Sequence, residues 1–226
     1  MSRGAVLVTG ASSGIGLAIA QALLAEGFSV IGLSRSATEG LGAGFTHLPI
    51  DLTDPVALTA ALDGLQPLAG VVHAAGLLRV GRHDAFDFTD GARMWQLHVE
   101  TSARLIGALA PRLPDGGRIV LIGSRVARGA PGRALYAASK AALSGLVRSV
   151  AAELAPRGIT VNIVAPGATD TPMLRDPERA SEAPKLPLIG RMIRPEEVAA
   201  AVGFLLSPLA GAITGQEIVI CGGASL

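Results

Sequence analysis

Strand-like and helix-like patterns alternate along the whole chain, and a glycine-rich turn stands directly behind the first strand. Together they predict a doubly wound α/β fold, a parallel sheet of about seven strands with helices on both faces. The 226 residues, half of them hydrophobic, suffice for one domain, 1–226, with a large core. Few aromatics and many Gly and Ala suit close packing of helix on sheet. Net charge is +1 and no basic stripe appears, which argues against nucleic acid as a partner. Cys221 is the only cysteine, so no intrachain disulfide can form and a reducing cytoplasm is the expected compartment. The apolar run near the start ends at Thr9-Gly10, too short for a signal peptide. Residues 198–215 carry no charge, but Pro208, Gly211 and Gly215 interrupt them. A helix followed by a loop explains that stretch better than a membrane span.

Ala5–Thr9 is an apolar run suited to a strand buried on both faces. Residues 9–16, Thr-Gly-Ala-Ser-Ser-Gly-Ile-Gly, open a helix running to about residue 26. At Gly10, Gly14 and Gly16 the missing Cβ lets the backbone approach a ligand, and Ser12, Ser13 and Ile15 stand where free helix N–H groups favour an anion. The spacing T-G-x-x-x-G-x-G differs from the commoner G-x-G-x-x-G, but its place behind the first strand argues for phosphate binding over packing alone.

The second strand, 28–33, ends in Ser34-Arg35. A carboxylate there would hold an adenosine ribose and repel a 2′-phosphate; none is present, and Arg35 is suited to pair with a phosphate or to stand solvated. NADP is therefore expected over NAD. Residues 36–46 are too short for a full crossover helix and should form a loop. The third strand, about 46–50, ends in Asp51-Leu52, where Asp51 either contacts adenine or caps the helix starting near Asp54-Pro55. The fourth strand, 70–73, leads into Ala74-Ala75-Gly76, a spot with almost no side chain.

Residues 90–110 have helical periodicity and contain Trp95 and His98. Arg118–Ile122 is the fifth strand, ending in Gly123-Ser124; Ser124 lies where open α/β sheets place ligands, and a turn cap is the plain alternative. Residues 160–164 form the sixth strand, ending in Ala165-Pro166-Gly167. The following loop, 168–191, is rich in Pro and mixed charge and reads as a substrate cover. Pro195–Leu206 is the last helix and Glu217–Ile220 the last strand.

Within the helix running to about residue 155, Tyr136 and Lys140 are four residues apart and share one face. A cation beside a phenol favours the phenolate, so the pair makes a tyrosine able to exchange a proton near neutral pH. Tyr136 is the only Tyr, and Lys140 one of two Lys in a chain that otherwise uses Arg.

The glycine turn, the Ser124/Tyr136/Lys140 trio, Pro166-Gly167-Ala-Thr-Asp-Thr171 and the run at 213–223 follow one another in a familiar order and spacing. Over essentially its whole length the chain resembles the short-chain dehydrogenases/reductases, whose sheet is of the Rossmann type. The resemblance implies Tyr136 as general acid/base and Lys140 as the group that lowers its pKa and holds the nicotinamide ribose. It implies Ser124 as the group that polarises the substrate oxygen. Thr171, with the backbone around Gly167 and the neighbouring Pro166 and Thr169, would hold the carboxamide end of the cofactor. Asp51 and Leu52 would flank the adenine, with Ala74, Ala75 and Gly76 also against the cofactor. Three departures stand out. His73-Ala74 replaces the family's Asn-Asn, with an expected loss of side-chain hydrogen bonds. His98 falls where a helix asparagine supports a water relay to the lysine, and it either takes over that role or faces packed side chains. Ser124 lies one residue nearer the tyrosine than is usual.

The expected activity is NADP-dependent interconversion of a small-molecule carbonyl and a secondary alcohol. An NAD-dependent dihydrodiol dehydrogenase of the dihydroxybenzoate-forming type is the alternative, which Ser34-Arg35 opposes. A cofactor-binding regulator without turnover and a nucleotide-binding transferase would have no use for the Ser/Tyr/Lys trio. Residues 77–88 and 172–191 are expected to shape the substrate pocket, with Leu174, Leu188, Ile189 and Met192 as an apolar wall or ordinary packing, and Arg79 and Arg175 as surface charge or, alternatively, as contacts to an acidic group. The resemblance also implies a homodimer or homotetramer joined through the helices at 90–110 and 136–155. No metal site is expected.

Overall fold

The computed structural model describes residues 3–38, 40–175 and 185–226. Seven parallel strands form one sheet in the order β3-β2-β1-β4-β5-β6-β7. They are β1 (Ala5–Thr9), β2 (Ser29–Ser34), β3 (Phe45–Pro49), β4 (Leu68–His73), β5 (Arg118–Ile122), β6 (Thr160–Pro166) and β7 (Glu217–Ile220). The expected strands are all present, shifted by one or two residues at their ends. The described residues between 36 and 44 carry no helix, as the length of the connection required. The winding reverses between β1 and β4, so the connections after these two strands lead to opposite faces and leave a crevice at the carboxyl edge of the sheet.

Alternation along the strands sorts the core into two layers. Leu7, Ile119, Leu121 and Ile163 face α2 (Pro55–Asp63), α4 (Thr101–Leu109) and α5 (Ala134–Leu154). Val6, Val8, Val120 and Ile122 face α1 (Gly14–Ala25) and α6 (Pro195–Leu206). A strand covered on both sides has no polar face, which is why β1, β5 and β6 read as continuous apolar runs.

The helix expected over 90–110 is built differently. It begins earlier, as α3 (Phe88–Trp95), passes through a π turn at Gln96–Glu100, and continues as α4. A π turn inserts one residue into the helical repeat and changes which side chains face inward. The displaced Gln96 C=O finds a side-chain donor in Thr101, whose single hydroxyl hydrogen is shared between Gln96 C=O at 3.0 Å and Leu52 C=O at 3.1 Å. Gln96 Nε2 donates to Thr53 C=O at 2.8 Å, tying the π turn to the loop after β3. The cap of α2 is Asp54, whose Oδ1 accepts the N–H groups of Val56 and Ala57 with Pro55 at the first helical position. Asp51, three residues earlier, bonds Thr53 instead and does not cap the helix.

Candidate active site

The crevice is a cleft of about 1500 Å³. That exceeds the roughly 300–1,000 Å³ of a site for one small molecule, leaving room for a dinucleotide and a second ligand. Every residue singled out above for cofactor or catalysis lines it except His98. Its lining joins the glycine turn with Arg35, Asp51 and Leu52, the stretch Ala74, Ala75 and Gly76, the loop after β6, and Ser124, Tyr136 and Lys140.

The glycines of this turn are required by close packing of backbone on backbone. A Cβ on Gly10 would lie 2.8 Å from Ala75 Cα, and Gly10 adopts φ +68°, so only glycine lets the loops after β1 and β4 meet. A Cβ on Gly16 would lie 2.1 Å from the carbonyl oxygen of Gly10. Ser13 precedes α1 without capping it through its side chain, and no acidic residue sits in the first turn, so the N–H groups of that turn face the cleft as an anion site. Arg35 is exposed just after β2 and forms no ion pair among the described residues. The Asp51 carboxyl is held below its usual range, chiefly by the Thr53 N–H and hydroxyl, with the charge of Arg35 adding to them. Ser34 also lines the cleft, its hydroxyl donating to Ser36 C=O at 2.9 Å and meeting His47 Nε2 at 3.0 Å.

Lys140 is 5% exposed and donates to Ile122 C=O at 2.8 Å. Burial pulls its pKa from 10.5 to about 7. Ser124 Oγ accepts Val126 N–H at 3.1 Å and so caps the short turn Arg125–Arg128, leaving its hydroxyl hydrogen available to the cleft. Thr169 and Thr171 hydroxyls donate to Gly167 C=O and Thr169 C=O, which stiffens the loop after β6.

His98 is fully buried behind Tyr136, ring edge to ring face at 5.6 Å. Leu77 N–H donates to its Nε2 at 3.1 Å, so the ring proton rests on Nδ1, which donates to Ser139 Oγ at 2.9 Å. Ser139 in turn donates to Tyr136 C=O at 2.8 Å. Burial first, then the charge of Lys140, hold His98 well below the usual imidazole range, so it stays neutral. The π turn rotates the ring inward, with both nitrogens engaged by protein groups. Of the two alternatives for His98, the ring lies among packed protein groups and not in the cleft lining.

At His73 the expectation is corrected. Its imidazole replaces the expected lost bonds with two of its own: Thr9 hydroxyl donates to Nδ1 at 2.8 Å, and Nε2 donates to Leu97 C=O at 3.0 Å, a carbonyl of the π turn. Burial, then Lys140, push its pKa down to about 4. Thr9 Oγ1 also accepts the N–H groups of Ala74 and Ala75, both at 3.1 Å, and so fixes the loop after β4. Thr9 and Ser139 were visible in their motifs, but sequence reasoning gave neither a role.

On the substrate side, Leu77, Leu78 and Arg79 enter the cleft, while residues 80–88 do not. Of the expected apolar wall, Leu174 and Leu188 line it; Ile189 packs on Gly222 instead, and Met192 lies outside. Arg175 pairs with Asp170, and Arg79 with Asp90. The middle of the expected substrate loop, 176–184, lies outside the described residues. Among the described residues no cluster of His, Cys, Asp and Glu suits a metal ion, and no helix is long and apolar enough to cross a membrane.

A family model described as enoyl-(acyl carrier protein) reductase matches residues 10–225. The chain is 38% identical over 237 residues to the 3-oxoacyl-[acyl-carrier-protein] reductase FabG of Salmonella typhimurium, covering 96% of this chain and 95% of that protein. It also superposes on a short-chain dehydrogenase/reductase from Serratia marcescens with TM-score 0.91 and 34% identity, covering 100% of this chain and 99% of that one. The chain belongs to the short-chain dehydrogenase/reductase family. As a member it is an oxidoreductase, and its Rossmann-type sheet is the family's. The family model names an enoyl reduction and the FabG relative a 3-oxoacyl reduction, so these names agree on the reaction class and differ on the substrate. The structure of BdcA, determined in complex with NADPH, matches this short-chain reductase with TM-score 0.90 and 33% identity, over 99% of this chain and 95% of that one.

Proposed function

We propose that this short-chain dehydrogenase/reductase is an NADPH-dependent reductase of small-molecule carbonyls, with Tyr136 as the proton donor to the carbonyl oxygen. The observation that carries the reading is the convergence of Tyr136, Lys140 and Ser124 on the cleft that the glycine turn enters. The uncapped first turn of α1, set against the cleft by the tightly packed glycines, fits a dinucleotide pyrophosphate, and Arg35 fits its 2′-phosphate. Bound NADPH supplies the hydride. Lys140 lies on the same face of α5 as Tyr136 and favours its phenolate, so the proton moves easily near neutral pH. Ser124 orients the carbonyl oxygen with its hydroxyl, and Thr169 and Thr171 hold the loop against the nicotinamide end. His98 acts on Tyr136 from behind, through Ser139, as a positioning residue. The same reading assembles the chain as a homodimer or homotetramer in the cytoplasm through α3, α4 and α5; the exposed Phe88 and Trp95 of α3 support it.

The test is a calorimetric titration with NADPH and NADH, followed by turnover of a carbonyl panel, on wild type and Tyr136→Phe. Both proteins should bind NADPH more tightly than NADH, and the variant should lose roughly 10²- to 10⁴-fold in turnover. Turnover preserved in Tyr136→Phe refutes the assignment.

A further inference from the structure

Among the described residues, seven basic side chains line the cleft against one acidic side chain, Asp51. Most have an evident occupation. Arg35 lies at the adenosine end and Lys140 beside Tyr136. Arg79 and Arg93 share Asp90. Arg125 is different. It directly follows Ser124, so the two Cα atoms are about 3.8 Å apart, and its side chain lines the cleft at the reacting end. It forms no ion pair among the described residues. Its Nη1 donates to Ala224 C=O at a long 3.3 Å, and its Nε is buried with no acceptor at all.

Ala224 belongs to the chain's last turn, which closes the substrate end of the cleft. Gly223 packs against Leu188 there, and Ile189 N–H donates to Gly222 C=O at 3.1 Å. Arg125 is thus clamped between the Ser124 turn and the C-terminal segment, with part of its donor fork unanswered. A half-buried guanidinium without an anion is an unsatisfied arrangement, and a carboxylate is its best geometric match, two oxygens to two parallel N–H groups.

We propose that the substrate is a short oxo acid, its carboxylate a few bonds from the reacting carbonyl, and that Arg125 is the specificity-determining residue that pairs with it. The inference rests on the reductase reading above and adds the substrate's charge. It departs from the thioester in the FabG relative's name, which is neutral at the corresponding position.

The experiment compares acetoacetate, methyl acetoacetate and acetoacetyl-CoA as substrates with NADPH, in wild type, Arg125→Met and Arg125→Lys. Calorimetric binding of acetoacetate to the enzyme–NADP complex is measured in parallel. Wild type should prefer the acid over its ester roughly 10- to 100-fold in kcat/KM, the range of a charge-assisted hydrogen bond. In Arg125→Met that ratio should fall toward one through KM, with the pH profile of kcat unmoved, and Arg125→Lys should restore part of it. NADPH affinity and unfolding midpoint check that the variants are folded. An ester used as well as the acid, a preference that survives in Arg125→Met, or no binding of acetoacetate overturns the proposal while leaving the reductase reading in place. A preference for acetoacetyl-CoA over acetoacetate that Arg125→Met removes also overturns it, assigning Arg125 to the phosphates of the carrier. Failure of NADPH to bind at all sinks both, and is read separately from the substrate comparison.

Discussion

Replacing Lys140 with methionine should make the ligand-free protein more stable while silencing it. Lys140 carries its charge inside the fold, and burial draws its pKa from 10.5 to about 7. Each pKa unit is about 1.4 kcal/mol, so at and below neutral pH the buried ammonium destabilises the folded state by at most about 5 kcal/mol. Part of that is offset. The 2.8 Å bond to Ile122 C=O contributes about 1 kcal/mol and is lost in the variant, and relaxation around the ammonium softens the penalty further. Methionine fills nearly the same space with a flexible apolar chain. A net gain of roughly 2–3 kcal/mol at pH 6.5 follows, a midpoint rise of roughly 5–10 °C at ~2–4 °C per kcal/mol.

The gain must depend on pH in one direction. Between pH 7 and 10.5 the unfolded chain holds the Lys140 proton and the folded chain does not, so wild-type stability climbs with pH, while the variant has no such group. The gap is therefore widest below pH 7 and nearly closed by pH 9.5. His73 and His98, which also face Lys140, are both held neutral across that range, and Tyr136 is common to both proteins. Urea unfolding followed by circular dichroism at pH 6.5 and 9.5, without cofactor, measures it. A variant less stable than wild type at pH 6.5, or a gap equal at both pH values, refutes the reasoning.

Gly16→Ala should lose roughly 100-fold or more in NADPH affinity, because its Cβ can be accommodated only by moving the Gly10 backbone by most of an ångström; calorimetry that finds affinity within a few-fold of wild type contradicts this. His73 is held at about 4 when folded, so between pH 6.5 and 4 the unfolded chain binds the extra proton and His73 destabilises the fold progressively on acidification, by up to roughly 3 kcal/mol. His73→Leu should remove that acid sensitivity but cost about 2–4 kcal/mol at pH 7, since Leu97 C=O and the Thr9 hydroxyl lose their partner. Denaturant melts at pH 4.5 and 7 separate the two effects, and an unchanged acid dependence in the variant counts against a titrating His73.

The strand-turn-helix unit at the start, the parallel sheet, the short connection before β3, and the helical spacing of Tyr136 and Lys140 were all determined by the sequence alone. Each is written in near neighbours: an apolar run, a missing Cβ, a four-residue interval. Even the loop that places Ser124 opposite Tyr136 follows from the end of one strand and the start of the next helix. The tertiary structure decided what happens behind that wall. A π turn has no periodicity that distinguishes it from an ordinary helix, so nothing near residues 96–100 reveals that His98 turns inward to Leu77 and Ser139. His73 finds its partners at Thr9 and Leu97, far away along the chain, and only the meeting of β1, β4 and the π turn brings them within reach. The pKa of Lys140 likewise depends on what surrounds it, since desolvation is a property of the packed interior and not of any local motif. Arg125 is one more arginine in the sequence; only its burial beside Ala224, without a carboxylate, sets it apart from the paired Arg79 and Arg175.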